Sequence, residues 1–216
     1  MGMCGEIIMT RDTLYLGSQS RARQALLEYA GIPFKVLEHG SDESYTHADG
    51  TLEHQVTTIA QDKMHSLILP PRADVDHDYL FVLTADTLVK DPQTGAVLGK
   101  PTDRVHAVAM LAAECKGPVE TVTGCCLKKF FFRDDMWHVD AEVCWAVGAM
   151  IEFYVDAPSV DRYFASRPIS LHCAGAAAIE EHGLAYLKSV TGSYTAVLGL
   201  PLYELRQELS KLGFRF

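Results

Sequence analysis

The sequence predicts an α/β fold, a mixed central sheet flanked by helices, and two observations lead to that class. Near the amino terminus, short apolar runs alternate with stretches of helical periodicity, and a strand–helix–strand order favours a sheet with helices packed on it. Further along, two long apolar runs, 119–132 and 138–154, flank the polar segment 133–136. Such a pair predicts an antiparallel hairpin, so the sheet is expected to contain strands of both directions.

Strands and helices follow from the apolar periodicity and from the residues that begin or end helices. The predicted strands are 13–17, 34–37, 79–84, 119–132 and 138–154, and the predicted helices are 19–30, 52–69, 103–115, 158–166 and 201–212. Serines precede the first helix and Gly31 follows it, whereas Thr102 is expected to cap the third helix and Gly117 to stop it. The loop segments 70–78 and 91–94 are too short to be domain linkers, which predicts a single domain over 1–216.

The charge and composition of the chain narrow the classes of partner. With 19 Lys and Arg against 28 Asp and Glu, the formal net charge is −9, which excludes the broad basic surface that a nucleic-acid polymer needs. An anionic ligand therefore requires a local group of cations in a cleft. No apolar run approaches the ~18 residues of a membrane span, no secretory signal opens the sequence, and the six cysteines include no CxxC pair. We expect a soluble, cytoplasmic protein with no nucleic-acid or membrane partner.

Segment 17–23 (GSQSRAR) joins the first predicted strand to the first predicted helix. A helix N-terminus at such a junction presents free backbone N–H groups and a positive dipole end to an anion. Ser18, Ser20 and Arg23 add side-chain donors and are candidate phosphate-binding residues. The alternative is that a serine simply caps the helix while Arg21 and Arg23 are solvated.

Four ionisable residues further along the chain complete a candidate site for phosphoanhydride chemistry. Asp86 comes at the end of a predicted buried strand, where ligands of α/β sheets bind, and it can hold a divalent ion or orient water. Lys100 lies between a glycine and a proline, Lys63 lies in a predicted helix, and both suit phosphate oxygens. Glu43 and Asp86 offer the oxygen ligands that Mg²⁺ prefers. The alternatives are a turn-capping role for Asp86 and solvated side chains at the other three positions.

Six short segments, taken in order, resemble the motifs of the Maf family of nucleotide pyrophosphatases. They are 16–23 (LGSQSRAR), 41–43 (SDE), 60–63 (AQDK), 84–87 (TADT), 99–101 (GKP) and 197–202 (VLGLPL). Each motif is short, yet six of them in the family's order with compatible gaps make coincidence implausible. The resemblance extends over nearly the whole chain.

The resemblance implies a fold related to the inosine triphosphate pyrophosphatases, with a cleft between two lobes, and a homodimer. It also implies hydrolysis of a nucleoside triphosphate to the monophosphate and pyrophosphate, by Mg²⁺- or Mn²⁺-dependent attack of water on the α-phosphorus. By motif, Asp86 corresponds to the catalytic aspartate, as general base or metal ligand, and Glu43 to the acidic residue that helps to position metal or base. The motifs further imply a set of phosphate-binding residues: Ser18, Ser20, Arg23, Lys63 and Lys100.

Departures from the family pattern concern the nucleobase. Where the family reads SxSPRR, this chain has Arg21 for the proline and Ala22 for the first arginine, a position that is Trp in the branch resembling 7-methyl-GTP pyrophosphatases. Segment 171–175 (LHCAG) and Glu180 resemble that same branch, whereas the dTTP/UTP branch has Gln at the latter position. We therefore expect a methylated or otherwise modified nucleotide, with Glu180 as a substrate-binding residue. The alternatives are dTTP/UTP hydrolysis and, from another class, a nucleotide-binding regulator of cell division with little turnover.

Overall fold

The computed structural model describes residues 11–38, 50–166, 174–177, 179 and 181–216. Its centre is a seven-stranded sheet. The strands are Leu14–Leu16 (β1), Phe34–Val36 (β2), Tyr79–Lys90 (β3), Val97–Leu98 (β4), Val119–Arg133 (β5), Met136–Phe153 (β6) and Leu187–Gly192 (β7). The helices are Arg21–Tyr29 (α1), Leu52–His65 (α2), Arg104–Glu114 (α3), Val160–Ser166 (α4), Tyr194–Val197 (α5) and Leu202–Lys211 (α6).

The sheet has the mixed character that the sequence predicts. Its order is β2-β1-β3-β5-β6-β7, with β4 paired to β3. β1 runs parallel to both β2 and β3, because helices connect these strands, whereas β3, β5, β6 and β7 are antiparallel neighbours. The predicted hairpin is confirmed: Asp134 and Asp135 form the turn between β5 and β6, with φ of 52° and 60°.

Three strands differ from the prediction, and one of them is the two-residue strand β4, which was not predicted. β3 was expected to end at residue 84 but extends to Lys90, because β5 pairs with it along its full length. Asp86 therefore lies inside a strand, opposite Gly124, and not at a strand end or a turn. β7 was not predicted, because its residues are mostly polar and exposed, as an edge strand allows.

Helix ends depend on local capping groups. Of the two serines that could cap α1, Ser20 is the N-cap, so the helix starts at Arg21 and not at residue 19, and Gly31, with φ of 65°, follows its end as predicted. The cap of α3 is Asp103 and not Thr102: the Asp103 carboxylate accepts a hydrogen bond from the His106 backbone N–H at 2.8 Å. A carboxylate is the stronger acceptor at a helix N-terminus. α2 and α3 are also shorter than predicted and end at His65 and Glu114.

Helices cover both faces of the sheet. On one face, α2 packs over Leu80 and Val82 of β3. On the other, α1 and α6 pack over Phe81 and Leu83, while α3 and α4 pack over the far end of β3 near Val89. Alternate residues of β3 thus face different helix layers. Among the described helices, none combines the length and the apolar content needed to cross a membrane.

Candidate active site

A cleft opens at a gap along one edge of β3. β5 occupies the other edge throughout, so β1 and β4 share this one. β1 pairs with β3 residues as far as Leu83, and the pairing of β4 begins at Val89 of β3. No described strand pairs with the edge between them. The cleft at this gap has a volume of about 460 Å³ and is lined by Asp86 and Thr87 of β3.

The N-terminus of α1 forms one wall of the cleft. The backbone N–H of Gly17 donates to the Leu83 carbonyl at 2.8 Å, which holds the end of β1 against β3 and starts α1 at the gap. Ser20 caps the helix by accepting from the Arg23 backbone N–H, and the Ser20 N–H in turn donates to Ser18 Oγ at 3.3 Å. The serines therefore shape the turn, and the whole segment 18–23 lines the cleft.

Arg23 is a buried clamp rather than a solvated side chain. Its Nε donates to the Gly199 carbonyl at 2.8 Å, Nη1 donates to Ser18 Oγ at 2.9 Å, and Nη2 donates to Thr87 Oγ1 at 3.2 Å. Only 8% of the residue is exposed. Gly199 has a φ of 99° and lies so close that a Cβ there would contact Thr87 at 3.3 Å. The guanidinium thus joins α1, β3 and the turn before α6 around the cleft, with part of its surface on the cleft wall.

Lys63 and Asp86 form an ion pair in the wall. Lys63 Nζ donates to Asp86 Oδ1 at 3.0 Å, and the two side chains are 9% and 16% exposed. Within the described part of the chain, no donor other than Lys63 reaches the Asp86 carboxylate. A buried ion of this kind needs a partner, so each side chain helps to fix the other at the cleft.

Two contacts seat α2 so that Lys63 reaches Asp86. Thr84, two residues before Asp86 and on the same face of β3, donates its hydroxyl to the Ala60 carbonyl at 2.6 Å. Gly124, opposite Asp86 on β5, lets the backbone of α2 approach directly: a Cβ there would lie 2.5 Å from the carbonyl carbon of Val56. Any larger residue at this position would push α2 away from the sheet.

Further along the cleft the lining becomes apolar, with two buried polar exceptions. The apolar residues are Val89, Ile151, Ala177, Ile179, Val197 and Leu198. Glu114 of α3 and Thr121 of β5 lie in this part of the lining and are 0% and 2% exposed. Burial raises the pKa of Glu114 well above its usual range, and the charge of Asp91 adds to the effect. The exposed Lys100 lies on the rim.

The structure brings most of the predicted site residues to one cleft. Ser18, Ser20, Arg23, Lys63, Asp86 and Lys100 all line it. Glu43 and Glu180 lie outside the described residues, and so do residues 171–173 of the LHCAG stretch. The roles of all these residues in catalysis or substrate binding stay predictions.

Sequence reasoning missed residues that the fold contributes to the site. One sequence signal could have indicated that Glu114 is buried: the helical periodicity of α3 puts this carboxylate on the same face as Ala107 and Leu111. Thr87 and Thr121 lie on the neighbouring strands β3 and β5, which β4 and α3 separate in the sequence, and no local pattern marks them. Thr87 shares a hydrogen bond of 2.8 Å with Thr123, which extends the Arg23 network into β5.

Outside the cleft, the described part of the chain contains one group of three potential metal-ligating side chains. Cys126, Glu142 and Cys144 lie on β5 and β6 with their ligand atoms within 4.8 Å of one another. The ammonium of Lys128 lies 3.2 Å from Glu142 and compensates its charge. None of these residues lines the cleft.

The fold and the cleft together define a class: an α/β protein in which a helix N-terminus, lysines and an aspartate meet at the edge of a mixed sheet, an arrangement suited to phosphate groups. The model of the Maf-like protein family matches residues 13–212, so the chain belongs to that family. The predicted resemblance is confirmed.

Curated relatives align with this chain over nearly its full length. The chain is similar to the dTTP/UTP pyrophosphatase of Anaeromyxobacter sp. (strain Fw109-5), with 33% identity over 200 residues, 93% of this chain and 89% of the relative. It is also 31% identical to the dTTP/UTP pyrophosphatase of Symbiobacterium thermophilum, over 93% of this chain and 94% of that protein. The enzyme of that name from Salmonella typhimurium is 33% identical over 92% of both chains.

Proposed function

We propose that this protein is a metal-dependent nucleoside triphosphate pyrophosphatase that cleaves the α,β-phosphoanhydride bond in the cleft along β3. The observation that carries the proposal is the Lys63–Asp86 pair at 3.0 Å beside the N-terminus of α1. A carboxylate and a cation at one phosphate-sized site provide both a proton acceptor and charge stabilisation. The activity named for the relatives supports the same assignment.

We propose that the triphosphate binds at the polar end of the cleft. Cleavage develops negative charge on the departing pyrophosphate, and cations held in place before the reaction stabilise that charge more than water does. Lys63 is positioned by α2, Lys100 comes from the rim after β4, and segment 18–23 adds backbone N–H groups at the start of α1. Arg23 acts mainly by holding this segment in place.

Asp86 is the group proposed to accept a proton from the attacking water. Its Oδ1 accepts a hydrogen bond from Lys63, whereas its Oδ2 receives none from the described residues, and Asp86 lines the cleft. Carboxylate oxygen is a hard ligand, so the donor set also fits Mg²⁺ or Mn²⁺. Asp86 and Glu43 would hold the ion, which when bound neutralises phosphate charge and makes water more acidic.

For the nucleobase we propose thymine or uracil, as in the names of the relatives. The apolar end of the cleft offers a surface for a flat ring, and the small side chain of Ala22 is also part of the cleft lining. Segment 171–175 and Glu180 favour 7-methylguanine as the second candidate. We further propose that the enzyme works in the cytoplasm as a homodimer and binds no nucleic-acid polymer, in keeping with its net charge of −9.

The test is a panel of nucleoside triphosphates that includes dTTP, UTP and 7-methyl-GTP, with Mg²⁺ or Mn²⁺, in which monophosphate and pyrophosphate are both quantified. We expect equal amounts of the two products and the highest kcat/KM for dTTP or UTP. Asp86→Asn is expected to lower kcat by ~10²- to 10⁴-fold. Asp140→Asn, an exposed site on β6 away from the cleft, is the matched control and is expected to retain activity.

Three results would contradict the proposal. Release of orthophosphate alone would exclude α,β cleavage. Tight nucleotide binding with no turnover of any triphosphate would favour the regulator. Full activity in Asp86→Asn would remove the central residue from the mechanism.

A further inference from the structure

Three buried polar atoms in the cleft wall lack hydrogen-bond partners. They are Oε1 and Oε2 of Glu114 and Oγ1 of Thr121. Buried polar groups are nearly always hydrogen-bonded, because an unpaired one destabilises the fold. Both residues belong to the apolar end of the cleft, on the α3 side of the sheet. The pair therefore indicates a ligand that supplies the missing hydrogen bonds.

The backbone around Glu114 is built to accommodate its carboxyl group. Gly175 has a φ of 72°, and a Cβ there would lie 1.7 Å from Glu114 Oε1, so only glycine fits. The Gly175 N–H donates to the Gly99 carbonyl at 3.1 Å, which ties this segment to the residue preceding Lys100. The carboxyl is thus enclosed between α3 and the segment that carries the cleft residue Ala177.

The enclosure also affects the protonation of Glu114. Burial without a cationic partner among the described residues raises the pKa of this carboxyl well above its usual value, so the protonated form persists to higher pH than in an exposed glutamate. A protonated carboxyl offers one O–H donor and one carbonyl acceptor side by side. The Thr121 hydroxyl can donate or accept as its neighbour requires.

We propose that Glu114 and Thr121 form the nucleobase subsite, in which the carboxylic acid of Glu114 pairs with a base edge that carries a carbonyl oxygen next to an N–H. Thymine and uracil have such an edge at O4 and N3. The acid O–H donates to the carbonyl oxygen, and the acid carbonyl accepts from the N–H. This inference rests on the proposed function, which places the triphosphate at the opposite, cationic end of the cleft.

The test compares UTP with the triphosphate of the pyrimidin-2-one riboside, which lacks both O4 and the N3 hydrogen. For the wild type, kcat/KM is expected to favour UTP. In Glu114→Leu this preference is expected to fall by ~10- to 100-fold, since a site that loses a hydrogen-bonding group loses discrimination of that order. Glu114→Gln carries an amide donor and acceptor in the same places and is expected to keep the preference within ~3-fold. Thr121→Val is expected to reduce it in the same direction as Glu114→Leu.

Controls separate this inference from the proposed function. Glu120→Gln, beside Thr121 but paired with Lys90 outside the cleft, is expected to leave the preference unchanged. Binding of the non-hydrolysable α,β-methylene UTP, measured by calorimetry, reports the subsite without turnover. An unchanged preference in both Glu114→Leu and Thr121→Val would overturn the inference even if the enzyme hydrolyses UTP. Loss of the preference for UTP in Glu114→Gln would overturn the hypothesis that Glu114 pairs with the base as a protonated acid. A wild type that hydrolyses no triphosphate but binds the analogue through Glu114 would overturn only the proposed function.

Discussion

Replacing Arg23 by Met tests whether this arginine holds the cleft together. Methionine keeps most of the apolar stem but removes the guanidinium, and with it the hydrogen bonds to Gly199, Ser18 and Thr87. These three partners belong to the turn before α6, the segment that follows β1 and the middle of β3. If Arg23 is a clamp, its loss should destabilise the whole fold and not only the binding of substrate.

The magnitude follows from the environment of each bond. A hydrogen bond to a charged group contributes about 1.5–3 kcal/mol to the free energy of unfolding. The buried bond from Arg23 to the Gly199 carbonyl should contribute about that much. The two hydroxyls keep other partners, Thr87 with Thr123 at 2.8 Å and Ser18 with the Ser20 N–H at 3.3 Å. They should therefore contribute about 1 kcal/mol each, for a total loss of ~3–5 kcal/mol.

Urea unfolding, followed by circular dichroism, measures this loss. With an m-value of about 2–3 kcal/mol per molar for a chain of this size, the midpoint should fall by ~1–2.5 M. Arg21→Met, two residues earlier on the same helix but exposed, is the matched control and should change stability by less than ~0.5 kcal/mol. Equal midpoints for the two variants would refute the clamp.

Three further predictions concern packing and pH. Gly124→Ala should destabilise the protein by ~2–4 kcal/mol in urea unfolding and lower kcat/KM, because the added Cβ would meet the backbone of α2. Gly148→Ala on β6 is the control and should change neither, since the nearest atom to a Cβ there is 3.5 Å away. The pKa of Glu114 is raised in the folded protein. Above pH 4.5, its usual pKa, the unfolded chain has therefore released a proton that the folded chain still binds, and the free energy of unfolding falls as pH rises. The gain in free energy of unfolding in Glu114→Gln should therefore be larger at about pH 8 than at about pH 5, and a pH-independent difference would contradict it. Burial alone would raise the pKa of Asp12, but hydrogen bonds from Arg215 and Tyr79 lower it, so Asp12→Asn should destabilise the fold near neutral pH, with the difference vanishing as pH falls below the usual value of 3.8.

The sequence predicted those parts of the fold that depend on local patterns. The start and end of α1 were predicted because Ser20 and Gly31 act through their own backbone neighbours. The β5–β6 hairpin was predicted because both strands are long and their turn is short and polar. In each case the residues that decide the structure lie within a few positions of one another.

The parts that were missed depend on distant partners. The second half of β3 has polar residues at Asp86 and Thr87, which break the strand pattern because they line the cleft. Arg23 was predicted as a phosphate ligand, and its pairing with the Gly199 carbonyl, 176 positions away, has no local sequence pattern. Residues that break the local sequence pattern are expected where a fold forms a functional site.

The proposed reaction depends most directly on which phosphorus the water attacks. Hydrolysis of UTP by the wild-type enzyme in water enriched in oxygen-18, followed by mass spectrometry of the products, identifies that atom. Attack at the α-phosphorus, with Asp86 as proton acceptor and pyrophosphate as leaving group, places one labelled oxygen in UMP and none in pyrophosphate. Label in pyrophosphate or in released orthophosphate would contradict the account.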